Sequence, residues 1–433
     1  MSASPWVLPL AGAVVAGYGA VSRRLATTPL SGPLVFVAVG LALGPLGLDL
    51  AAPEREPGAV RVLLEATLAL VLFTDGAATN SRALSRERFL PVRLLGIGLP
   101  LSMALGWLVA WWLLPGLGVW ELALVAVVLA PTDAALGRQA VADRRVPVLV
   151  RDGLSVESGL NDGLALPFFV LVLAAAEAGE GGRTGLGETF LRALVLSSVL
   201  GLATGYAGAR LLRWAVGRGW MATDWQPQLT IALAALAYGL SVVVEGSGFI
   251  GVWVAGLAFG NTMRYQARST PARPAHRRTG PHTKFAERLS VLATAISFLA
   301  FGALILGPVL EHLQWRMALY AVLSLTVVRM LPVAVALLGA RLRPATVLYI
   351  GWFGPRGLAS LVFGLIALES SLGHVALLSG TVAVTVGLSV VLHGASAPGL
   401  GARYGAWFNR AAAASPGLRE QTRVDGRPAP SGR

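Results

Sequence analysis

Thirteen apolar stretches, most of them near twenty residues long, follow one another through this 433-residue chain with only short polar loops between them. They lie near residues 6–22, 29–48, 59–78, 89–114, 119–138, 146–176, 189–209, 226–245, 248–262, 285–308, 317–340, 346–368 and 374–394. A helix of about 20 apolar residues crosses the hydrocarbon core of a bilayer. Within lipid a helix also satisfies its own backbone polar groups. The pattern therefore predicts an all-α polytopic membrane protein with about 13 transmembrane helices. Composition agrees: 55% of residues are hydrophobic and 13% charged, against about 25% charged in soluble domains. Mean hydropathy is +0.67.

The formal net charge of +13 is a matter of topology rather than of nucleic acid, because the basic residues sit in the loops and no groove-reading motif is present. Twenty-eight of the 35 Lys and Arg fall on one side of the predicted spans and five on the other. Positive loops stay cytoplasmic, so the C-terminus is expected in the cytoplasm and the N-terminus outside the cell membrane. The first apolar run lacks a basic segment before it and reads as a retained helix. With no cysteine, thiolate metal sites are excluded. The loops leave no room for a soluble domain, so residues 1–397 are expected to form a single transmembrane domain. The Arg/Pro-rich stretch 263–284 reads as a surface loop, and the polar 398–433 as a disordered cytoplasmic tail.

An internal repeat organises the spans. Ser31-Gly32-Pro-Leu-Val-Phe-Val-Ala-Val-Gly40-Leu41-Ala42-Leu-Gly44 in span 2 matches Ser247-Gly248-Phe-Ile-Gly-Val-Trp-Val-Ala-Gly256-Leu257-Ala258-Phe-Gly260 in span 9. An offset of seven spans inverts orientation, so residues 6–176 and 226–394 are expected to be inverted six-helix repeats joined by a linker helix at 189–209, as in many secondary transporters. The same offset pairs span 5, broken at Ala130-Pro131-Thr132-Asp133, with span 12, broken at Gly354-Pro355-Arg356-Gly357. Irregular backbone at membrane depth is tolerated where it is buried or lines a watery cavity. The two broken helices are therefore expected to cross at the midplane and form a binding site.

The chemistry concentrates in Glu157-Ser158-Gly159-Leu160-Asn161-Asp162, inside span 6. Each charge there costs about 2.5–3.5 kcal/mol on insertion scales. Asp162 is the leading candidate for ion and proton binding, since a half-buried carboxylate holds a proton or a small cation but not both. That competition suffices to exchange one for the other. Ser158, one helical turn away, and Thr132 in the span 5 break are candidate oxygen ligands for a hard cation such as Na+ or K+. Asp133 would hold a coordinating water or a helix end. Asp75, at the end of span 3, is either a cavity ligand or an interfacial residue. Asn161 is expected to orient its neighbours. Arg329 in span 11 needs a buried partner, and Glu157 is the best candidate for a structural ion pair. Arg356 would offset Asp133 or cap the carbonyls of the broken helix. No nucleophile–base arrangement, metal-spaced histidines or phosphate-binding glycine loop is visible, so neither an enzyme, a cofactor nor an ATP drive is expected. His276, His282, His312, His374 and His393 are read as lying in loops or near span ends. A passive channel, a non-transporting membrane sensor and a symporter of organic anions on the same fold remain as alternatives.

Pro131-Thr132-Asp133, Glu157-Ser158-Gly159-Leu160-Asn161-Asp162-Gly163, Ser247-Gly248-Phe249, Arg329 and Gly354-Pro355-Arg356-Gly357 together resemble the monovalent cation:proton antiporter family, in particular its prokaryotic NhaP branch, related to the eukaryotic sodium/proton exchangers. The resemblance spans about residues 10–395. It implies a thirteen-helix homodimer in which a six-helix core domain moves against a dimerisation domain. It implies an ion site at Asp162 with Ser158, Thr132 and Asp75 nearby, and a Glu157–Arg329 pair. An Asn-Asp motif resembles the electroneutral exchangers. Two departures are Ala134, where the family usually has proline, and Asp75, where prokaryotic relatives often have glutamate.

Overall fold

The structure is a computed structural model. It describes residues 7–25, 28–50, 57–79, 89–133, 136–137, 143–178, 186–267, 281–370, 372–415 and 417–421. Ala134 and most of the 263–284 loop lie outside the described residues. Among those described the chain is helical, with no strand. The helices are α1 (Val7–Leu25), α2 (Gly32–Leu43), α3 (Pro57–Ala78), α4 (Phe89–Leu113), α5 (Val119–Val128), α6 (Val148–Ala178), α7 (Leu186–Gly217), α8 (Trp225–Val243) and α9 (Gly248–Ala267). Then come α10, which starts at Pro281–Ala300 and ends at Gly307–Glu311, α11 (Trp315–Ala336), α12 (Pro344–Trp352), α13 (Leu358–Glu369) and α14 (Val375–Ala414). Seven of the described helices are long and apolar enough to cross a membrane on length and composition alone.

Several helices are interrupted where their sequence is. π-helical turns interrupt α4 at Leu94–Gly98 and α10 at Phe301–Leu306. Such turns often mark functional strain. Helix α11 steps sideways at Thr326 (φ −109°, ψ −86°). The predicted twelfth span is two helices, α12 and α13, parted by an extended stretch at the Gly354-Pro355-Arg356-Gly357 motif.

Two bodies of helices pack more within themselves than against each other. One holds α1–α3 and α7–α10, the other α4–α6 and α11–α14. The first is knitted by glycines. A side chain at Gly40 or Gly44 of α2 would strike the backbone at Leu299 or Ala303 of α10, and one at Gly302 would strike Val37. At Gly256 or Gly260 of α9 it would strike Phe73 or Ala77 of α3, and at Gly76 it would strike Trp253. The two sets correspond residue for residue through the α2/α9 sequence repeat. Backbones this close require glycine, as in other membrane helix pairs. On the outer face of α7, Leu191, Val195, Val199 and Leu202 are each more than half exposed, an apolar stripe at helical spacing.

The chain beyond Pro398 departs from the expected disorder. Residues 398–414 continue α14. The reason is an apolar face: Tyr404 stacks on Tyr349 of α12 at 4.3 Å and on Trp407 at 5.6 Å. Beyond it, Arg419 and Glu420 dock on the corner between α11 and α12. The Arg419 guanidinium donates to the Ala340 carbonyl (3.1 Å) and lies 3.7 Å over the Phe89 ring. Glu420, 2% exposed, accepts from the Arg343 amide (2.8 Å) and the Thr346 hydroxyl (2.9 Å). Arg419 thus holds the turn that follows α11, and the Glu420 anion meets the amide end of α12, where it complements the helix dipole. Residues from 422 onward lie outside the described residues.

Candidate functional site

The two breaks meet. The Asp133 amide donates to the Pro355 carbonyl (2.8 Å), joining the end of α5 to the stretch between α12 and α13. Each break leaves helix-end groups without intrahelical partners, and side chains from across the crossing supply them. Ser360 of α13 donates to the Val128 carbonyl at the end of α5 (2.7 Å). The Asp133 carboxylate accepts from the Leu358 amide at the start of α13 (2.9 Å) and, more weakly, from Leu136 (3.4 Å). Gly357 makes that approach possible, because a Cβ there would collide with the Asp133 carboxylate. Asp133 thus sits at a helix N-terminus, where a negative charge is favoured.

Arg356 is fully buried and donates through Nη1 to the Pro131 and Gly354 carbonyls, both at 3.2 Å. Of its two expected roles, the geometry shows the capping of broken-helix carbonyls. Glu157 and Arg329 form a two-pronged ion pair at 2.6 and 3.0 Å, both 3% exposed. It locks α6 to α11. Gly354 of the span 12 break lies directly on the Arg329 guanidinium.

Helix α6 turns its polar motif toward the span 5 break. The Ser158 hydroxyl donates to the Thr132 carbonyl (2.7 Å), and the Asn161 amide donates to the Thr132 hydroxyl. The sequence pairs Ser158 with Asp162 on one face. In the structure Ser158 and Asn161, three residues apart, share the face that grips Thr132. Asn161 is held by that bond, which fixes the residue next to Asp162.

Asp162 itself is 8% exposed, and its Oδ1 has no hydrogen-bond partner among the described residues. Asp133 and Asp75 are the carboxylates that act on it through space. Asp162 lies at the seam between the two bodies of helices. On one side are the crossing and α6. On the other, the Trp253 ring of α9 rests on Gly163, and Asp75 of α3 approaches Gly159, whose Cβ position is 4.0 Å from that of Asp75. The site therefore gathers Asp162, Ser158, Thr132, Asn161 and Asp133 from one body and Asp75 from the other.

Sequence reasoning missed three contributors. Trp253 packs on Gly163 beside Asp162, Ser360 caps the crossing, and His393 is buried within α14, not near a span end. Its ring lies 5.2 Å from that of Trp352. The signals were faint: Gly163 beside the aspartate, and the four-residue spacing of Thr381, Thr385, Ser389 and His393, all of them buried.

A family model of the transmembrane sodium/hydrogen exchangers matches residues 10–402. This chain belongs to the sodium/hydrogen exchanger family. The K(+)/H(+) antiporter NhaP of Alkalimonas amylolytica is 26% identical to it over 337 residues, covering 77% of this chain and 55% of that protein. The Na(+)/H(+) antiporter 2 of Zygosaccharomyces rouxii is 28% identical over 291 residues, covering 62% and 34%. This exchanger-family chain thus spans about half the length of the first relative and about a third of the second. In fold it matches the solved structure of the sodium proton antiporter MjNhaP1 from Methanocaldococcus jannaschii at pH 8, with a TM-score of 0.74 at 19% identity over 92% of this chain and 98% of that one.

Proposed function

We propose that this protein is a secondary antiporter that exchanges a monovalent cation, Na+ or K+, for H+ at Asp162. The observation that carries the proposal is the placement of this carboxylate. It is buried, has an oxygen without a hydrogen-bond partner among the described residues, follows the two residues that bond the carbonyl and hydroxyl of Thr132 in the broken span 5, and lies at the seam between two packed bodies. A carboxylate so placed takes a proton or a hard cation in alternation. A seam between two bodies lets one rock against the other and expose the site to each side in turn. Relatives named for potassium and for sodium both support the class, so the two ions are candidates of equal standing.

In this reading the cation is bound by Asp162 with Ser158 and the Thr132 backbone. Asp133 caps the crossing, and Asp75 approaches from the opposite body. The protein acts as a transporter and not as an enzyme. The corresponding glycine contacts of α2/α10 and α9/α3 support inverted repeats. The basic loops favour a cytoplasmic C-terminus in the cell membrane, and the exposed stripe of α7 suits a bilayer or a second copy in a homodimer. With Asn161 neutral, one carboxylate exchanges one proton for one cation, an electroneutral cycle. The test is proteoliposome exchange followed with a pH dye on adding Na+, K+ and Li+ in turn. Saturable, proton-coupled flux with at least one ion is expected. Flux that does not saturate favours a channel, and no flux with folded protein overturns the proposal.

A further inference from the structure

The crossing is held from a third direction, by α14. His393 is 1% exposed, and its Nε2 lies 2.9 Å from the Trp352 carbonyl, the last of α12. A carbonyl only accepts, so Nε2 bonds to it as the protonated nitrogen. Nδ1 is 3.1 Å from the Ser389 hydroxyl and 3.0 Å from the Ser389 carbonyl. The Ser389 hydroxyl in turn accepts from the Arg356 amide at 2.7 Å. A neutral ring donates from one nitrogen, and the tautomer that bonds between helices has the Arg356 amide donating to Ser389, Ser389 donating to Nδ1 and Nε2 donating to Trp352, while the Ser389 carbonyl stays in the α14 backbone ladder and makes no bond to Nδ1. Ser396, also on α14, accepts from the Trp352 indole at 3.0 Å. Residues 389, 393 and 396 recur at helical spacing, so one face of α14 grips both ends of the span 12 break.

The bonds continue to the transport site. Arg356 Nη1 donates to Pro131, whose neighbour Thr132 is bonded by Ser158 and Asn161, one turn before Asp162 and next to it. Breaking the α14 contact leaves the buried Arg356 amide without its Ser389 partner and the Trp352 carbonyl held by the Gly354 amide (2.8 Å) alone, inside the break itself. A buried amide left open finds another partner by shifting the backbone, and this backbone carries the Pro355 carbonyl and the Leu358 amide that hold Asp133, the residue after Thr132.

We propose that His393, acting with Ser389, is a positioning residue for cation binding: it sets the broken span 12 against Pro131–Thr132 and so fixes the oxygen geometry around Asp162 from a helix that does not touch the ion. This rests on the antiport reading, so binding is measured as well as exchange. His393→Ala, Ser389→Ala and His393→Gln are reconstituted, and half-saturating Na+ and K+ are measured at fixed pH beside maximal rate and melting temperature. Stabilisation of each purified protein against heat by added cation reports binding without transport. His393→Ala and Ser389→Ala are expected to raise half-saturation about fivefold, within the range by which linked residues modulate a site, and to change maximal rate less. His393→Gln, whose amide donates to the Trp352 carbonyl, is expected to return most of the affinity. Should His393→Ala fail to fold, Ser389→Ala and His393→Gln carry the test, the serine variant being the weaker binder of the two. Folded variants with wild-type half-saturation and wild-type cation stabilisation overturn the inference, as does a loss of maximal rate at unchanged affinity. Wild-type protein showing neither exchange nor cation stabilisation overturns the antiport reading and this inference with it.

Discussion

Two kinds of polar residue meet at the site, and they answer to different physics. Glu157 and Arg329 neutralise each other, so the loss of either leaves a buried charge alone. Glu157→Ala and Arg329→Ala are each expected to lower stability by about 3–5 kcal/mol, read as a clear fall in melting temperature in detergent. Unchanged melting of both variants would contradict a structural role. Ser158 instead donates its hydroxyl to the Thr132 carbonyl and, in the proposed site, offers its oxygen to the cation. Ser158→Ala should weaken cation affinity severalfold while sparing turnover, measured as half-saturation against maximal rate. These residues were legible because a charge or hydroxyl in an apolar run demands an explanation. His393, Ser389 and Ser360 were not. A neutral polar group on a membrane helix is common, and its partners here are backbone atoms of distant elements. Trp253 was hidden for a different reason, since an aromatic in an apolar helix reads as packing.

At the scale of elements, breaks and glycines carried the fold. The prolines and glycines at Pro131 and Gly354–Gly357 marked where helices part, and the α2/α9 repeat marked where backbones touch. The same rules that exposed the breaks concealed the tail. A polar stretch with few apolar residues reads as solvated, yet Arg419 binds the turn after α11 and Glu420 the amide end of α12, which no side-chain pattern announces. Glu420→Ala removes the Oε1 acceptor shared by the Arg343 amide and the Thr346 hydroxyl at the start of α12 and should cost about 1–2 kcal/mol, visible as a lower melting temperature. Glu420→Gln keeps an acceptor and should lose less. Equal stability of the wild type and both variants would mean that the docked segment does not hold the corner. At Gly256 there is no room for any side chain. Gly256→Val should force α9 off α3 and sharply reduce the yield of folded protein, checked by size-exclusion chromatography, whereas Gly239→Ala, with open space around it, should fold normally.

For the whole molecule the account makes one electrical claim and one chemical claim. A one-for-one exchange moves no net charge, so the rate should not respond to membrane potential. A diffusion potential that drives or blocks Na+/H+ exchange in proteoliposomes would assign a second titrating carboxylate, Asp133 or Asp75, to the cycle. The chemical claim is that proton and cation compete for Asp162. The measurement that tests it most directly is half-saturating cation concentration against pH in wild-type proteoliposomes, with Asp162→Asn protein measured alongside. The account predicts that affinity weakens as pH falls, about tenfold per unit once the carboxylate is mostly protonated, that maximal rate changes less, and that folded Asp162→Asn protein exchanges nothing. Strong pH-coupled exchange by folded Asp162→Asn protein, or a wild-type affinity independent of pH, would contradict it.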